Sequence, residues 1–480
     1  MTSIKQQILS GVFYTAVAKY SGILISLAVT AVLARLLSPK DFGIVAIATV
    51  IINFFNIFTN IGFSTAIIQN KELTTKDMDN IYAFTLWLGI AIGGLFFLSS
   101  WGIAHYYQSS QLIIICQLLS ISLFFSAAAI VPNTLFYRDK KFKFIAYRTS
   151  LIQLITGLLA VTAALTGAGL YTLTIQPILS SMLVYIVALK KYPTKFQFTF
   201  DIESIKKIWN YSTYQFLFNL VNYFTRNLDK ILIGKYMGMN YLGYYEKSYR
   251  LMMLPLQNIT FVITPVMHPV LSEFQNDLDK LGYINERITR LLAFIGFPLS
   301  TLLYFCADEL VLIFFGNQWL ASIPIFKILS LTVSLQLVLS SSGSFFQAGD
   351  DTRGLFICGS FSALICAISI LTGIFYFQSM EAVAWGTLFS FCINFIICYA
   401  TLYYSTFHKK LMYFFSNLLS PLLLGCIVGI ALYLLSLYFI NLNIFLSLTI
   451  KTTLCILTSC TYLQMTKEYD FFLKLKQFIR

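Results

Sequence analysis

Two apolar stretches, 209–236 and 241–268, are each long enough to cross a lipid bilayer and carry six charged residues away from their ends. They are Arg226, Asp229, Lys230, Glu246, Lys247 and Arg250. Charged groups at membrane depth are costly, so they usually face a protein interior or a water-filled cavity and mark a pathway. Because most of these groups are basic, we expect a cavity that accepts an anionic cargo.

The spacing of these charges predicts matching depths in the two stretches. Arg226 and Lys230 are four residues apart and therefore share one face of a helix. At about 1.5 Å per residue from the predicted outer ends, Arg226 and Arg250 lie roughly 14–15 Å deep, and Lys230 and Glu246 roughly 8–9 Å deep.

The cluster has two interpretations. In the first it is a structural ion-pair network, in which Asp229 pairs with Arg226 or Lys247 and Glu246 pairs with Arg250. In the second at least some of the bases bind an anion, because the bases outnumber the two acids. A pyrophosphate would suit such a site, since guanidinium offers bidentate hydrogen bonds and ammonium a compact positive charge.

Other charged residues also lie in or near apolar runs. Lys19 lies near the midplane of the first run, residues 10–34, which contain no Asp or Glu. We predict that Lys19 contacts substrate or takes part in coupling, with a structural role as the alternative. Asp308 and Glu309 either carry a coupling proton or cap a helix junction. Lys327 and Lys451 lie nearer span ends, where snorkelling to the interface accounts for them.

Membrane-spanning helices must position these residues, and the composition supplies them. The 480 residues are 58% hydrophobic and 11% charged, with a mean hydropathy of +0.76. Soluble domains carry roughly 25% charged residues. The apolar runs predict an all-α polytopic membrane protein with about fourteen transmembrane helices. These spans are expected near 10–34, 42–68, 81–105, 112–136, 144–166, 169–189, 208–236, 240–268, 289–315, 322–347, 354–377, 382–404, 414–440 and 444–464.

The distribution of basic residues predicts the orientation of the chain. Alternate loops, with the N-terminus and the tail, carry 23 Lys and Arg residues, whereas the opposite loops carry only Arg35, Lys40 and Lys235. The positive-inside rule therefore places both termini in the cytoplasm. The net charge of +13 is explained in the same way and does not indicate nucleic-acid binding.

No metal, cofactor or catalytic site is predicted. The nine cysteines all fall in apolar runs, form no CxxC pair, and have no His at ligand spacing. We therefore do not expect an enzyme.

An internal repeat links two turns of the chain. Residues 34–43 align with residues 234–243 at an offset of 200 residues, and each segment leaves one span and enters the next through a base, a turn and a glycine. The first and seventh spans cross the membrane in the same direction, so the two halves are predicted to be parallel repeats. The predicted periplasmic gate and its turns comprise Arg35, Pro39, Gly43, Gly234, Lys235 and Gly243.

Four segments of the chain resemble a known family. Residues 33–43, 136–142, 227–234 and 242–251 are similar to hallmark segments of the polysaccharide exporters in the multidrug/oligosaccharidyl-lipid/polysaccharide superfamily. The likeness is to the Wzx-like, or colanic-acid-exporter-like, branch. It implies two six-helix lobes around a central cavity, plus two C-terminal helices.

The resemblance also implies boundaries and a function. The N-terminal lobe would cover 1–190, a cytoplasmic linker 191–207, the C-terminal lobe 208–404, and the extra helices with the basic tail 405–480. The chain would be a bacterial inner-membrane flippase. By alternating access it would move undecaprenyl-pyrophosphate-linked oligosaccharide from the cytoplasmic to the periplasmic leaflet, for O-antigen or exopolysaccharide synthesis. Membrane lipid, a polysaccharide polymerase and a chain-length regulator would be its partners.

Two other functions stay open at this point. A drug or cation antiporter of the same superfamily should carry cavity acids, particularly in the first span, where this chain has Lys19 instead. A membrane-embedded polysaccharide polymerase or ligase should carry a long periplasmic loop with Arg, His or Asp, whereas the predicted outer loops are short and nearly uncharged.

Overall fold

The computed structural model describes residues 4–60, 63–70, 72–198, 201, 223, 227–272, 274, 277–438, 443–466 and 468. Within these ranges the regular structure is helical, and no strand occurs. The first helices are α1 (Ile4–Leu36), α2 (Pro39–Asn60), α3 (Phe63–Gln69), α4 (Thr75–Tyr107), α5 (Gln111–Ala128), α6 (Ile130–Arg138), α7 (Phe142–Leu165), α8 (Thr172–Lys191) and α9 (227–236). They are followed by α10 (Met239–Ser272), α11 (Leu278–Phe305), α12 (Ala307–Phe314), α13 (Ser322–Leu339), α14 (Ser342–Ala348), α15 (Thr352–Phe375), α16 (Met380–Thr401), α17 (Leu411–Tyr438) and α18 (Ile444–Met465).

The prediction of an all-helical membrane protein is confirmed. In the described part of the chain, 12 helical stretches are long and apolar enough to cross a membrane, and each overlaps one of the predicted spans. The predicted span 240–268 forms the continuous helix α10 but is not among the twelve. The predicted span 208–236 lies mostly outside the described residues, so the count of fourteen stays a prediction.

Three predicted spans are broken helices. The span near 112–136 divides into α5 and α6 at Ala129, because Pro132 has no N–H to donate to the carbonyl of Ala128. The span near 289–315 divides into α11 and α12 at Cys306. Discontinuous helices free backbone groups at membrane depth, and in transporters such breaks occur where the backbone lines a cavity.

The third break lies between α13 and α14. Here the hydroxyls of Ser340 and Ser341 donate to the carbonyls of Leu337 and Val338 at 2.6 and 3.0 Å. Serine side chains that bond to the preceding turn compete with the regular helical pattern. α13 ends at Leu339 and α14 begins at Ser342, where hydropathy alone predicts a continuous span.

The chain divides into two compact units, Met1–Gly243 and Tyr244–Arg480. The first has an apolar core in which Phe63, Ile81 and Val131, from α3, α4 and α6, are fully buried. The second is centred on aromatic residues, with the rings of Tyr399 and Phe414 stacked at 4.0 Å. The buried Tyr399 hydroxyl donates to the Val338 carbonyl at 2.8 Å, so this polar group has a hydrogen-bond partner inside the core. The predicted lobe boundaries at 190, 207 and 404 remain predictions.

Side-chain caps fix where several helices begin. Thr74 and Asp77 form a reciprocal capping box at α4. Asp351 caps α15 by accepting from the Gly354 N–H at 2.7 Å, and it also accepts from the Thr406 hydroxyl at 2.9 Å. Burial raises the pKa of the Asp351 carboxyl, but these hydrogen bonds outweigh burial, and its pKa lies below the ordinary value.

Candidate functional site

The two repeat-related turns pack against each other within the first unit. A Cβ atom placed on Gly43 of α2 would lie 1.8 Å from the carbonyl oxygen of Met239, and one on Gly243 of α10 would lie 2.0 Å from that of Pro39. Gly43 and Gly243 are equivalent at the 200-residue offset, and so are Pro39 and Met239. Each glycine therefore touches the backbone that begins the opposite helix. We call these four residues the glycine clasp.

The other predicted gate residues are Gly234, Lys235 and Arg35. A Cβ atom on Gly234 would lie 2.7 Å from the Ile47 side chain, so α9 also approaches α2 closely. Lys235 donates to the Tyr106 carbonyl, and its ammonium lies 4.2 Å from the centre of the Tyr106 ring. Arg35 lies in the last turn of α1 and is exposed. The gate function of these residues stays a prediction.

A polar cleft of about 610 Å³ lies beside the clasp in the first unit. Its walls come from the start of α2, the turn between α4 and α5, and the turn between α9 and α10. They are formed by Lys40, Tyr107, Gln108, Ser109, Ser110, Gln111, Gly234, Lys235, Tyr236, Met237, Gly238, Met239 and Asn240. We call it the turn cleft. Among the described residues that line it there are two lysines and no acid.

Sequence reasoning identified Lys235 but missed Lys40 and the 107–111 turn. The sequence did contain an indication of Lys40, because Lys40 and Lys235 are two of only three bases in the predicted base-poor loops. The 107–111 turn lines the same cleft because the end of α4 contacts α9, where Lys235 meets Tyr106. Hydropathy carries no information about such contacts between helices.

The predicted membrane-depth bases of the first unit occupy different environments. Lys19 is half-buried on α1, and Lys230 is half-buried on α9. Asp229 is 9% exposed, and its carboxylate accepts from the backbone N–H of Lys230 at 2.8 Å. Arg226 lies outside the described residues.

The charged side chains of α10 in the second unit differ in their exposure to solvent. Lys247 is only 2% exposed, and its ammonium lies 5.6 Å from the centre of the Phe315 ring. Arg250 is exposed, and Glu246 is half-buried. Lys247 is therefore buried, whereas the Arg250 side chain lies at the surface of the described structure.

Asp308 and Glu309 lie in the first turn of α12, and each is paired with a lysine. Asp308 accepts from Lys327 of α13 at 2.7 Å. Glu309 is buried and forms an ion pair with Lys451 of α18, and it also accepts from the Ser447 hydroxyl at 2.5 Å. Both acids thus sit at the junction of α11 and α12, and their coupling role stays a prediction.

The snorkelling interpretation was wrong for Lys451, and for Lys327 it stays a prediction. The Lys451 side chain is 12% exposed and donates to the Phe305 carbonyl at 2.8 Å as well as to Glu309. Lys327 pairs with Asp308, and both side chains are partly exposed. Both lysines therefore tie helices together.

A second cavity, of about 440 Å³, lies in the first unit among α2, α3, α5, α6 and α8. Its walls include Asn60, Ser64, Ser122, Ser126, Asn133, Ser180 and Ser181. Asn133 accepts from Arg148 at 2.8 Å. Arg148, counted from the sequence as a loop base, is instead 8% exposed within α7.

The described residues contain no group of three or more His, Cys, Asp or Glu side chains that could hold a metal ion. The candidate features are bases on apolar helices, the glycine clasp and two polar cavities. Ammonium and guanidinium groups are suited to binding an anion.

Comparison with known proteins identifies similar chains. Residues 32–324 match the family model described as polysaccharide biosynthesis protein. The teichuronic acid biosynthesis protein TuaB of Bacillus subtilis (strain 168) is 26% identical over 440 residues, which cover 90% of this chain and 89% of that protein. The lipopolysaccharide biosynthesis protein WzxC of Escherichia coli (strain K12) is 23% identical over 355 residues, covering 72% of this chain and 71% of that protein.

A solved structure shares the fold. The lipid II flippase MurJ, in an inward closed conformation, aligns with a TM-score of 0.77 at 17% sequence identity. The alignment covers 95% of this chain and 99% of that structure. At this identity the likeness establishes the fold and leaves the cargo to be argued from the residues.

Proposed function

Because this chain belongs to the family of polysaccharide biosynthesis proteins, we propose that it is a flippase for lipid-linked oligosaccharide. It carries undecaprenyl-pyrophosphate-linked repeat units from the cytoplasmic to the periplasmic leaflet of the bacterial inner membrane. Both termini are cytoplasmic. The product feeds O-antigen or exopolysaccharide synthesis, and the chain itself catalyses no covalent step.

The observation that carries this proposal is the presence of bases on apolar helices of a polysaccharide-family membrane protein. Lys19 lies half-buried on α1, within a run that contains no Asp or Glu, and Arg250 is exposed on α10. A base at this depth is stable where it faces a watery cavity. The pyrophosphate of the proposed cargo supplies the anion that such a cavity selects.

Each base has a distinct proposed role. We propose that Lys19, Arg226 and Lys230 of the first unit and Arg250 of the second unit each contact the pyrophosphate at some stage of transport, since guanidinium and ammonium groups both bind phosphate oxygens. Lys247 is buried in this conformation. We therefore propose that it contacts the cargo only after the helices around it have moved. Asp229 and Glu246 offset part of the positive charge, and the polyprenyl tail stays in the lipid.

The glycine clasp closes the predicted periplasmic ends of α2 and α10 in this conformation. Its contacts join backbone to backbone, and the buried side chains of Ile47 and Leu242 pack beside them. We propose that alternating access opens this contact after the cargo has entered from the cytoplasmic side. The lobes that move are 1–190 and 208–404, with 405–480 as an attached helix pair.

The two other functions fit the residues less well. An antiporter for cationic drugs needs acids in its cavity, but the first span carries Lys19 and no Asp or Glu. A polymerase or ligase needs catalytic side chains on an extended outer loop, and the predicted outer loops contain three bases in total. Polysaccharide polymerase and chain-length regulator proteins are instead proposed partners of the flippase.

Deletion of the gene in its own host tests the proposal. We expect repeat units to accumulate on their lipid carrier at the cytoplasmic leaflet, and expression of the intact chain to restore export. Single repeats accumulating outside the membrane would identify a polymerase and overturn the proposal. Unchanged polymer with a new sensitivity to cationic dyes would identify an antiporter and overturn it as well.

A further inference from the structure

The turn cleft places bases where the membrane topology otherwise excludes them. The sequence assigns 23 Lys and Arg residues to loops of one predicted face and only three to the other, although Arg148, one of the 23, is buried in α7. Two of those three, Lys40 and Lys235, line this single cleft. The positive-inside bias acts against bases on the translocated side, so their joint presence calls for a separate function.

The two lysines approach the cleft from different helices. Lys235 is held on one wall, because it donates to the Tyr106 carbonyl and lies over the Tyr106 ring at 4.2 Å. Lys40, in the first turn of α2, is exposed. The nearest acid in sequence, Asp41, instead accepts from the Ser38 N–H at 2.9 Å and the Ser38 hydroxyl at 2.7 Å. Among its described lining residues the cleft therefore has two positive charges and no negative one.

The rest of the cleft has the chemistry of a carbohydrate site. Gln108, Gln111 and Asn240 offer amides that both donate and accept, and Ser109 and Ser110 offer hydroxyls. Tyr107 and Tyr236 add aromatic rings to the wall. The volume of about 610 Å³ falls within the range of small-molecule sites, roughly 300–1,000 Å³. A bare phosphate needs neither the amides nor the rings.

We propose that the turn cleft is an outer-face binding site for acidic sugar, in which Lys40 and Lys235 bind a carboxylate carried by the oligosaccharide. The identity of the ligand as cargo rests on the proposed flippase function. The site receives the sugar after the clasp opens. It would favour repeat units that contain a carboxylated sugar over neutral ones.

Direct binding to the purified full-length chain tests the site. The probe is trigalacturonic acid, with maltotriose as the neutral comparison, measured by isothermal titration calorimetry in detergent. We expect the acidic trisaccharide to bind at least tenfold more tightly than maltotriose. Lys40→Gln and Lys235→Gln should each weaken it by about tenfold, since each removes one charge-assisted contact to the carboxylate.

Matched variants and a competitor make the test specific. Lys76→Gln removes an exposed base from the first turn of α4, away from the cleft, and should leave binding unchanged. Lys235→Arg retains the charge and should keep most of the affinity. Equal binding of maltotriose, or equal weakening by Lys76→Gln, would overturn the proposal. Tighter binding of inorganic pyrophosphate than of the acidic sugar would also overturn it, because the cleft would then be a headgroup site.

The binding test is independent of transport. If the acidic sugar fails to bind while the chain still flips lipid-linked oligosaccharide, the cleft proposal fails alone. If the sugar binds but no lipid-linked oligosaccharide is flipped, the site stands and the flippase function fails.

Discussion

The lysines at the start of α12 and the lysines of the turn cleft lie in opposite electrostatic environments. At α12, Asp308 and Glu309 each form an ion pair with a lysine from another helix, Lys327 and Lys451. In the turn cleft, Lys40 and Lys235 share a polar wall that contains no acid among its described residues. Both regions lie near the ends of apolar helices, so hydropathy alone does not distinguish them.

The difference separates bases that hold helices from bases that are available to a ligand. A paired lysine contributes to the packing of the helices that supply the pair, and its charge is already neutralised. A lysine in an acid-free polar cleft retains a field that attracts anions. In this chain the paired lysines, Lys327 and Lys451, connect α12 to α13 and α18. The cleft lysines, Lys40 and Lys235, lie on the predicted periplasmic side.

The largest expected effect comes from breaking the buried pair of α12 and α18. Glu309→Gln leaves the Lys451 ammonium without its counter-ion, where the lysine side chain is 12% exposed. Removing one partner of a buried pair destabilises a protein by about 3–5 kcal/mol. We expect the melting temperature in detergent, followed by circular dichroism, to fall sharply.

The double variant Glu309→Gln, Lys451→Met is the control for that experiment. It removes both charges, so it should recover much of the lost stability. If the double variant is as unstable as the single one, the pair is not what joins α12 to α18.

A smaller effect is expected from the glycine clasp. Gly43→Ala places a methyl group 1.8 Å from the Met239 carbonyl oxygen, so α2 and α10 must shift apart. Overpacking of this kind costs about 1–3 kcal/mol. We expect lower thermal stability and slower flipping, with Gly243→Ala showing the same behaviour because it is the repeat-related position.

Two exposed glycines provide the matched control for the clasp. Gly94 and Gly102 of α4 have no heavy atom within 4 Å of a built Cβ atom. Alanine at these positions should be neutral or stabilising by up to about 1 kcal/mol, since alanine favours helix more than glycine does. If Gly94→Ala and Gly43→Ala behave alike, the close backbone contact is not limiting.

The smallest effect is expected from the more exposed pair of α12. Asp308 and Lys327 have side-chain exposures of 52% and 32%. Surface ion pairs contribute about 0–1 kcal/mol, because water screens them. Asp308→Asn should therefore shift the melting temperature far less than Glu309→Gln, and the shift should shrink in high salt. A loss as large as that of Glu309→Gln would contradict the distinction between buried and exposed pairs.

The sequence predicted the elements of this structure well. Apolar runs located twelve helical spans, and the 200-residue offset identified two turns whose glycines do meet. The family suggested by the segments around residues 33–43 and 227–251 is confirmed by the family match over residues 32–324. Local sequence was sufficient here because hydropathy, turn chemistry and repeats are read within short windows.

The partners of the charged residues were harder to predict. Glu309 and Lys451 are 142 residues apart, so nothing local links them. The burial of Arg148 and Lys247 likewise depends on which helix faces which neighbour. Hydropathy gives the depth of a residue in the membrane, whereas its contacts depend on the rotation and packing of whole helices.

The most direct test of the flippase account is a side-resolved flipping assay in proteoliposomes. The substrate is a fluorescent undecaprenyl-pyrophosphate-linked oligosaccharide, and the variants are Lys19→Gln, Lys19→Arg and Lys327→Gln. We predict transfer by the intact chain, a loss of about tenfold or more for Lys19→Gln, as expected from the loss of one charge-assisted contact, substantial retention for Lys19→Arg, and near-normal transfer for Lys327→Gln. Transfer no faster than in protein-free vesicles, or unchanged transfer by well-folded Lys19→Gln, would contradict the account.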